Sequence, residues 1–521
     1  MELEDSWKSA CKIIFGAEIG NLEDYAGWLS SEIELKEGKS SESGKDIFFC
    51  TGEYCANSKR ISYDEISKSQ NEMAGLGKEF DSIESLLEGI YPVARYCGNI
   101  TLGNCSFIKD SANISDCQHI SKSSFLRKCR HLFSCSMCRE SESCFGCTSC
   151  NNSSFCIKTN HFKNKRCLEL RISRNCSDCY FSAGLENCSD CIFCFNLQSR
   201  HNCIGNHQLG KEEYEKIKAK LLGQIRAYLV EYKSLPSVFE IAGRAPANKP
   251  ALEIRSQEFG DFGKIDKKII EADFSLVLKL LFGVSPKESV DGYRGWLGGH
   301  VTLQEEHVSC FSSKPIRLIP YPAYRGIPPD RLLSFKEALE GASKLVLSEA
   351  EVQNLEFERA REIISRIAYF TPEWREDSNS NIIDCCMSTD SQNCYQSAPV
   401  MYTRNCAFTF WPKSCKSVYG CHIIYDSQAC VNCYFSENLS RCFEMDSCKS
   451  CSDSYFCHNS ENLQECMFCF NVKGKRYAIG NVELKKEDYL RIKKLVLDEI
   501  GEKLEREKRL GADIFNIGCT K

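Results

Sequence analysis

The chain has no apolar run of the ~18 residues that a membrane-spanning helix needs. Its opening, MELEDSWKSACKIIFGAEIG, carries acids where a secretory leader needs bases, and it has no long apolar centre. A cytoplasmic location without membrane association is therefore expected. Charge of one sign is also lacking. A net charge of −5 argues against a generally basic, nucleic-acid-binding surface. The short basic segments FLRKCRH, around Cys129, and KNKR, beside Cys167, read as solvated loops, so a nucleic-acid partner is not expected. No HExxH, Walker A, GxSxG or GxGxxG segment stands in a convincing context, and no catalytic residue is assigned.

Cysteine is what the chain has in excess, with 36 in 521 residues. In a short secreted chain that number would signal a disulfide framework. In a long chain without an export leader, reduced thiols or metal ligation are the better readings.

The chain repeats itself. Phe15, Gly16, Tyr25, Gly27, Trp28 and Leu29 reappear as Phe282, Gly283, Tyr293, Gly295, Trp296 and Leu297, with one residue inserted. SGKDI from Ser43 has a counterpart in SSKPI from Ser312. The segment from Cys191 to Leu222 aligns without a gap on Cys466 to Leu497. Two matching ends in one order indicate a tandem duplication. Trp7, Ala10, Cys11, Ile14 and Phe15 have helical spacing, as do Tyr214, Ile217, Leu221 and Ile225, and Tyr489, Ile492, Val496 and Ile500. The last helix is expected to stop near Gly511.

Between these helices the cysteines fall on a three-residue grid. Every cysteine from Cys394 to Cys469 shares one phase, and the other grid positions hold Ser, Thr, Val, Ile, Leu, Met or Pro. Charges and aromatics occupy the two positions between. Cys105 to Cys156 behave alike; the phase slips in NHFKNKR, which reads as a loop, and resumes at Cys167. A helix would show a period of 3.6 and a plain strand a period of 2. A period of three with compact side chains fits a narrow coil, with cysteine as a small buried apolar residue. Asn393, Asn405 and Asn432, each before a cysteine, suit corners because Asn tolerates left-handed backbone. The cysteines recur at 18 (Cys430, Cys448, Cys466), so an 18-residue coil is preferred; 9 and 27 score about as well.

Here the chain resembles a group of cysteine-rich β-helix-like repeat proteins of archaea and candidate bacterial phyla. The resemblance rests on NCSDCIFCFNL from Asn187, IGN from Ile204 and KEEY from Lys211, and covers the two cysteine blocks with their closing helices. It implies a fold and no activity.

The expected fold class is α+β: two tandem modules, each a mixed helical head, a cysteine-rich parallel β-solenoid and a closing helix. The heads span 1–96 and 266–384, the solenoids 97–209 and 385–484, and the helices 210–233 and 485–511. A linker at 234–265 carries Pro236, Pro246 and Pro250. Cys430, Cys433, Cys448 and Cys451 form C-x2-C-x14-C-x2-C, a good zinc spacing. The competing reading is a buried ladder, since equivalent grid positions hold Ser454, Leu439, Val418 and Met445, which do not ligate zinc. Neighbouring strands also sit ~4.8 Å apart, wider than thiolates around one zinc allow without puckering.

No cofactor is expected on the ladder reading, and zinc on the other. The leading functional expectation is a non-catalytic scaffold with a protein partner or self-association. Zinc or thiol-based metal handling and redox chemistry is the alternative. A left-handed-β-helix acyltransferase is a further one, weakened by the absent aliphatic-Gly rhythm and by His422 and His458 having no carboxylate partner that the sequence reveals.

Overall fold

In both cysteine-rich stretches nearly every third residue turns the backbone left-handed. Asp116, His119, Lys122, Phe125, Lys128 and His131 have φ of 53, 54, 49, 53, 52 and 54°. Each precedes a grid residue, and the grid residues Cys117, Ile120, Ser123, Leu126, Cys129 and Leu132 are all buried. The corner role expected for Asn holds: Asn393, Asn405 and Asn432 have φ of 54, 58 and 48°. A left-handed residue other than glycine costs about 1–2 kcal/mol, so the corners persist only because the strands between them pair. The structure, a computed structural model, describes residues 2–69, 82–91, 94–243, 266–320, 322, 324–376 and 378–519.

The pairing is parallel and its step is twelve residues. Leu132 pairs with Ile120 on one side and Cys144 on the other. Cys144 pairs with Cys156, Cys394 with Cys406, and Met445 with both Cys433 and Cys457. The expected step of 18 is not the one found. Twelve residues hold four grid positions, so Cys430, Cys433, Ser436 and Leu439 lie under Cys442, Met445, Cys448 and Cys451. Cysteine alternates with Ser, Leu and Met within such a column, which is why the recurrence of cysteine alone conceals the step.

The phase slip is a shortened step rather than a loop. Ile157 pairs with Leu168 and Ser154 with Lys165, one residue fewer than elsewhere. Asn164 fills the gap: its side chain donates to Ser173 O at 2.8 Å and to Asn160 O at 3.2 Å, and accepts the amide of Cys176 at 3.1 Å.

The fold is mixed α+β, with a ten-stranded and a fifteen-stranded sheet built largely of these parallel strands. Among the described residues no helix is long and apolar enough to cross a membrane.

The chain forms two compact units. One gathers Met1–Leu35, Thr101–Gln257 and Glu306–Glu373, the other Lys36–Ile100, Glu258–Glu305 and Trp374–Lys521. The heads expected at 1–96 and 266–384 are thus each divided between the units. In the first unit, α1 (Leu3–Phe15) buries Trp7, Ala10, Cys11, Ile14 and Phe15, the expected stripe. α2 (Lys211–Tyr232) buries Tyr214, Ile217, Leu221 and Ile225. A short helix α3 (Val238–Gly243), with Phe239 and Ile241 buried, occupies the start of the expected linker; residues 244–265 of that linker lie outside the described residues.

In the second unit, α4 (Lys268–Phe282) lies beside the sheet. α5 (Lys486–Glu507) buries Tyr489, Ile492, Val496 and Ile500 and ends at Lys508, short of Gly511.

Candidate functional site

The grid thiols are occupied with the backbone. Most of them lie within hydrogen-bond reach of the carbonyl two residues earlier and, in many cases, of one nine residues later. Cys448 Sγ lies 3.3 Å from both Asp446 O and Cys457 O, and Cys433 Sγ lies 3.5 Å from Val431 O and 3.6 Å from Cys442 O. Grid serines do the same: Ser436 Oγ donates to Tyr434 O at 2.7 Å and accepts the amide of Cys448, twelve residues on, at 3.0 Å. Cys421 Sγ accepts the amide of Cys433 at 3.4 Å. The grid therefore selects compact side chains that bridge a carbonyl to the next inward amide, or small apolar ones that fill the space.

The four cysteines with zinc spacing do not converge. Cys448 stands over Ser436 and Cys451 over Leu439, while Cys430 and Cys433 lie under Cys442 and Met445. All four are buried. Burial, then the neighbouring Cys451, pushes the Cys448 thiol up; burial, then Cys421 and Cys430, does so for Cys433. Among the described residues no three or more His, Cys, Asp and Glu side chains are arranged to hold a metal. One disulfide, Cys55–Cys519, joins two cysteines outside both grids.

One set of titratable groups that does converge lies in the second unit. Asp446 and His458 sit one step apart on adjacent strands, and both are fully buried. His458 Nδ1 lies 2.8 Å from Asp446 Oδ2, which also accepts the Tyr54 hydroxyl at 2.6 Å. The backbone amide of Cys97 donates to His458 Nε2 at 2.8 Å. That bond places the ring proton on Nδ1, facing Asp446. Burial raises the Tyr54 phenol first, and the Asp446 charge adds to it.

Beside this group, Glu444 Oε1 accepts Asn432 Nδ2 at 3.0 Å and Oε2 accepts the amide of Ile514 at 2.9 Å. Burial, then the charge of Asp513, raises Glu444 to about 8. His300 lies 3.3 Å from Asp513 and 3.1 Å from Glu53. Burial opposes its charge, but those carboxylates prevail and raise it to about 9.

The first unit has a different buried polar group on the matching tier. Arg171 contacts both oxygens of Glu32, at 2.5 and 2.8 Å, and Glu169 at 3.0 Å. Lys158 Nζ reaches Glu32 at 3.3 Å and Ser31 Oγ at 2.7 Å. Burial works against the Glu32 charge, yet Arg171 and then Lys158 hold it near 2. Burial is first for Glu169 also, where it outweighs the pull of Arg171 and raises the carboxyl to about 7.

No protein-family model, curated protein or solved structure matches the chain.

Chemically, both polar groups act as joints. His458 has a carboxylate partner after all, but the amide of Cys97 occupies the nitrogen that a general base would need. His422 is held neutral by burial, down to about 3; its Nε2 meets Thr302 Oγ1 at 3.2 Å and its ring stacks on Phe410 at 4.6 Å.

The joint residues escaped the sequence reading because Asp446 and His458 are partners only at a step of twelve. Signals for that step exist off the grid. Arg166–Asp178, Arg174–Glu186, Arg441–Asp453, Glu437–Lys449 and Glu461–Lys473 are ion pairs between residues twelve apart. Asn381, Asn393 and Asn405 form a hydrogen-bonded column at the same step.

Proposed function

We propose that the protein is a non-catalytic scaffold, built on two duplicated β-solenoids with twelve-residue coils, that works by holding other proteins or copies of itself. The observation that carries this reading is the use made of its reactive groups. The grid thiols are tied to the chain's own carbonyls, and both ring nitrogens of His458 are taken by Asp446 and Cys97. Side chains so committed are costly to release for chemistry on a substrate. The duplication is supported by matched joints. Ser40 and Ser62 meet Glu65 as Ser309 and Ser334 meet Glu337. Asn196 donates to Tyr369 O at 2.9 Å as Asn471 donates to Arg95 O at 2.9 Å.

Native mass spectrometry of the full chain isolated from its source tests the reading. A complex of fixed stoichiometry and no bound metal is expected. A lone chain carrying stoichiometric zinc or iron would overturn it in favour of metal handling.

A further inference from the structure

A cavity lies at the shortened step of the first unit. It is open to solvent, has a volume of about 410 Å³, and is lined by Asn152, Lys163, Lys165, Asn175, Cys176 and Ser177. Two outward columns make its walls. Asn152, Lys163 and Asn175 stand at successive corners, with φ of 54, 55 and 53°. Ser154, Lys165 and Ser177 pair in succession beside them. Cys176 is buried between the two columns.

The charges of this cavity are of one sign. Earlier in the same two columns Lys128 and Arg130 have carboxylates one step on, Glu140 and Glu142. Lys163 and Lys165 instead have Asn175 and Ser177 one step on, and Asn152 and Ser154 one step back. Glu140 and Glu142 stand two steps from the lysines, roughly 10 Å at the usual strand spacing. The nearby Asp178 is taken by Arg166. Among the described residues neither lysine ammonium has an ion-pair or hydrogen-bond partner, and the side chains of Asn152 and Ser177 have none either.

The second unit supplies a control. The gapless alignment of Cys191 with Cys466, carried backwards, keeps the ion pair Arg166–Asp178 as Arg441–Asp453. On the same alignment Lys163, Lys165, Asn175 and Ser177 become Asn438, Ser440, Ser450 and Ser452. Neither lysine is therefore a requirement of the coil. Two like charges set two residues apart repel, and the chain offers no carboxylate between them.

We infer that this cavity binds the phosphate group of a small molecule. Lys163 and Lys165 supply the charge that a doubly charged oxyanion needs, as lysine does at other phosphate sites. The amide of Asn152 and the hydroxyl of Ser177 are free to donate to it. The volume suits a small ligand. An extended polyanion is disfavoured because Glu140 and Glu142 lie on one side of the lysines and Glu186 and Asp190 on the other.

The inference is independent of the scaffold reading. Calorimetric titration of the full chain with inorganic phosphate and with glycerol phosphate, at fixed ionic strength in chloride, tests it. Saturable binding at about 1 mM or tighter is expected. Equal affinities assign the site to free phosphate, and tighter binding of the ester assigns it to a phosphate ester. Lys163→Gln with Lys165→Gln should weaken binding tenfold or more and keep the thermal unfolding midpoint, because both side chains are exposed. Arg404→Gln with Lys416→Gln, which removes two exposed cations from adjacent strands of the second unit, should leave binding unchanged. The inference is overturned if neither probe saturates, if binding survives the paired lysine changes, or if the second-unit changes weaken it equally. Capture of a single-stranded oligonucleotide but of neither small probe would overturn it in favour of a nucleic-acid contact.

Discussion

At the scale of single residues, the governing fact is that an inward side chain on the grid must be compact and must suit a backbone carbonyl and amide. Cys448→Ser should therefore cost about 1 kcal/mol or less, since Ser436 already makes the same bonds one step away. Cys448→Phe should cost about 3 kcal/mol or more, because a filled interior resists added volume. Chemical denaturation of the two variants checks this. Asp446→Ala strands the buried Tyr54 hydroxyl and His458 Nδ1, and a loss of about 3 kcal/mol or more is expected.

The pH dependence follows from the same unit. The folded values of Glu444, about 8 against an ordinary 4.5, and of His300, about 9 against 6.5, are both raised. Each group contributes stability that is full below its ordinary value and is lost as pH rises through its folded value. The unfolding midpoint should thus fall between about pH 5 and 9. Glu444→Gln should remove its share, so that the variant gains on the parent as pH rises from 4.5 to about 8. A gap independent of pH would contradict the assignment.

At the scale of elements, helices were legible where a single face is buried. Trp7 through Phe15 and Tyr214 through Ile225 carry the 3.6 period unmixed with anything else. The three-residue corner was legible too, because burial at every third position tolerates no charge. The coil step was not. It is fixed by backbone pairing, and the pairing tolerates Cys over Ser or Leu over Cys alike, so cysteine positions carry little of it. The information sits in outward pairs such as Arg441 and Asp453, which contribute little to stability. Their exposed ion pair should be worth under about 1 kcal/mol in a double-mutant cycle. The Glu32–Arg171–Lys158 group is of another kind. Glu32→Ala leaves two buried cations without their carboxylate and should cost about 3–5 kcal/mol.

At the scale of the whole molecule, the two units are assembled from interleaved segments. Residues 36–100 belong with the second cysteine-rich sheet and 306–373 with the first. No local pattern announces this. The two segments carry matching capping groups, Glu65 and Glu337, and are received by matching asparagines, Asn471 and Asn196, so either could serve either sheet by sequence alone. A consequence is that residues 1–257 and 258–521, expressed apart, should each lack a docking segment and fold poorly. Co-expression should recover a soluble complex, which size-exclusion chromatography would detect.

The central claim is that the cysteines of both blocks point inward and are bonded to the chain's own backbone. Timed alkylation of the native chain, mapped by mass spectrometry, tests it most directly. The half-buried Cys50, Cys105 and Cys310 should react first, and the grid cysteines from Cys117 to Cys203 and from Cys394 to Cys469 only after denaturation. Rapid labelling of the grid cysteines in the folded protein would contradict it.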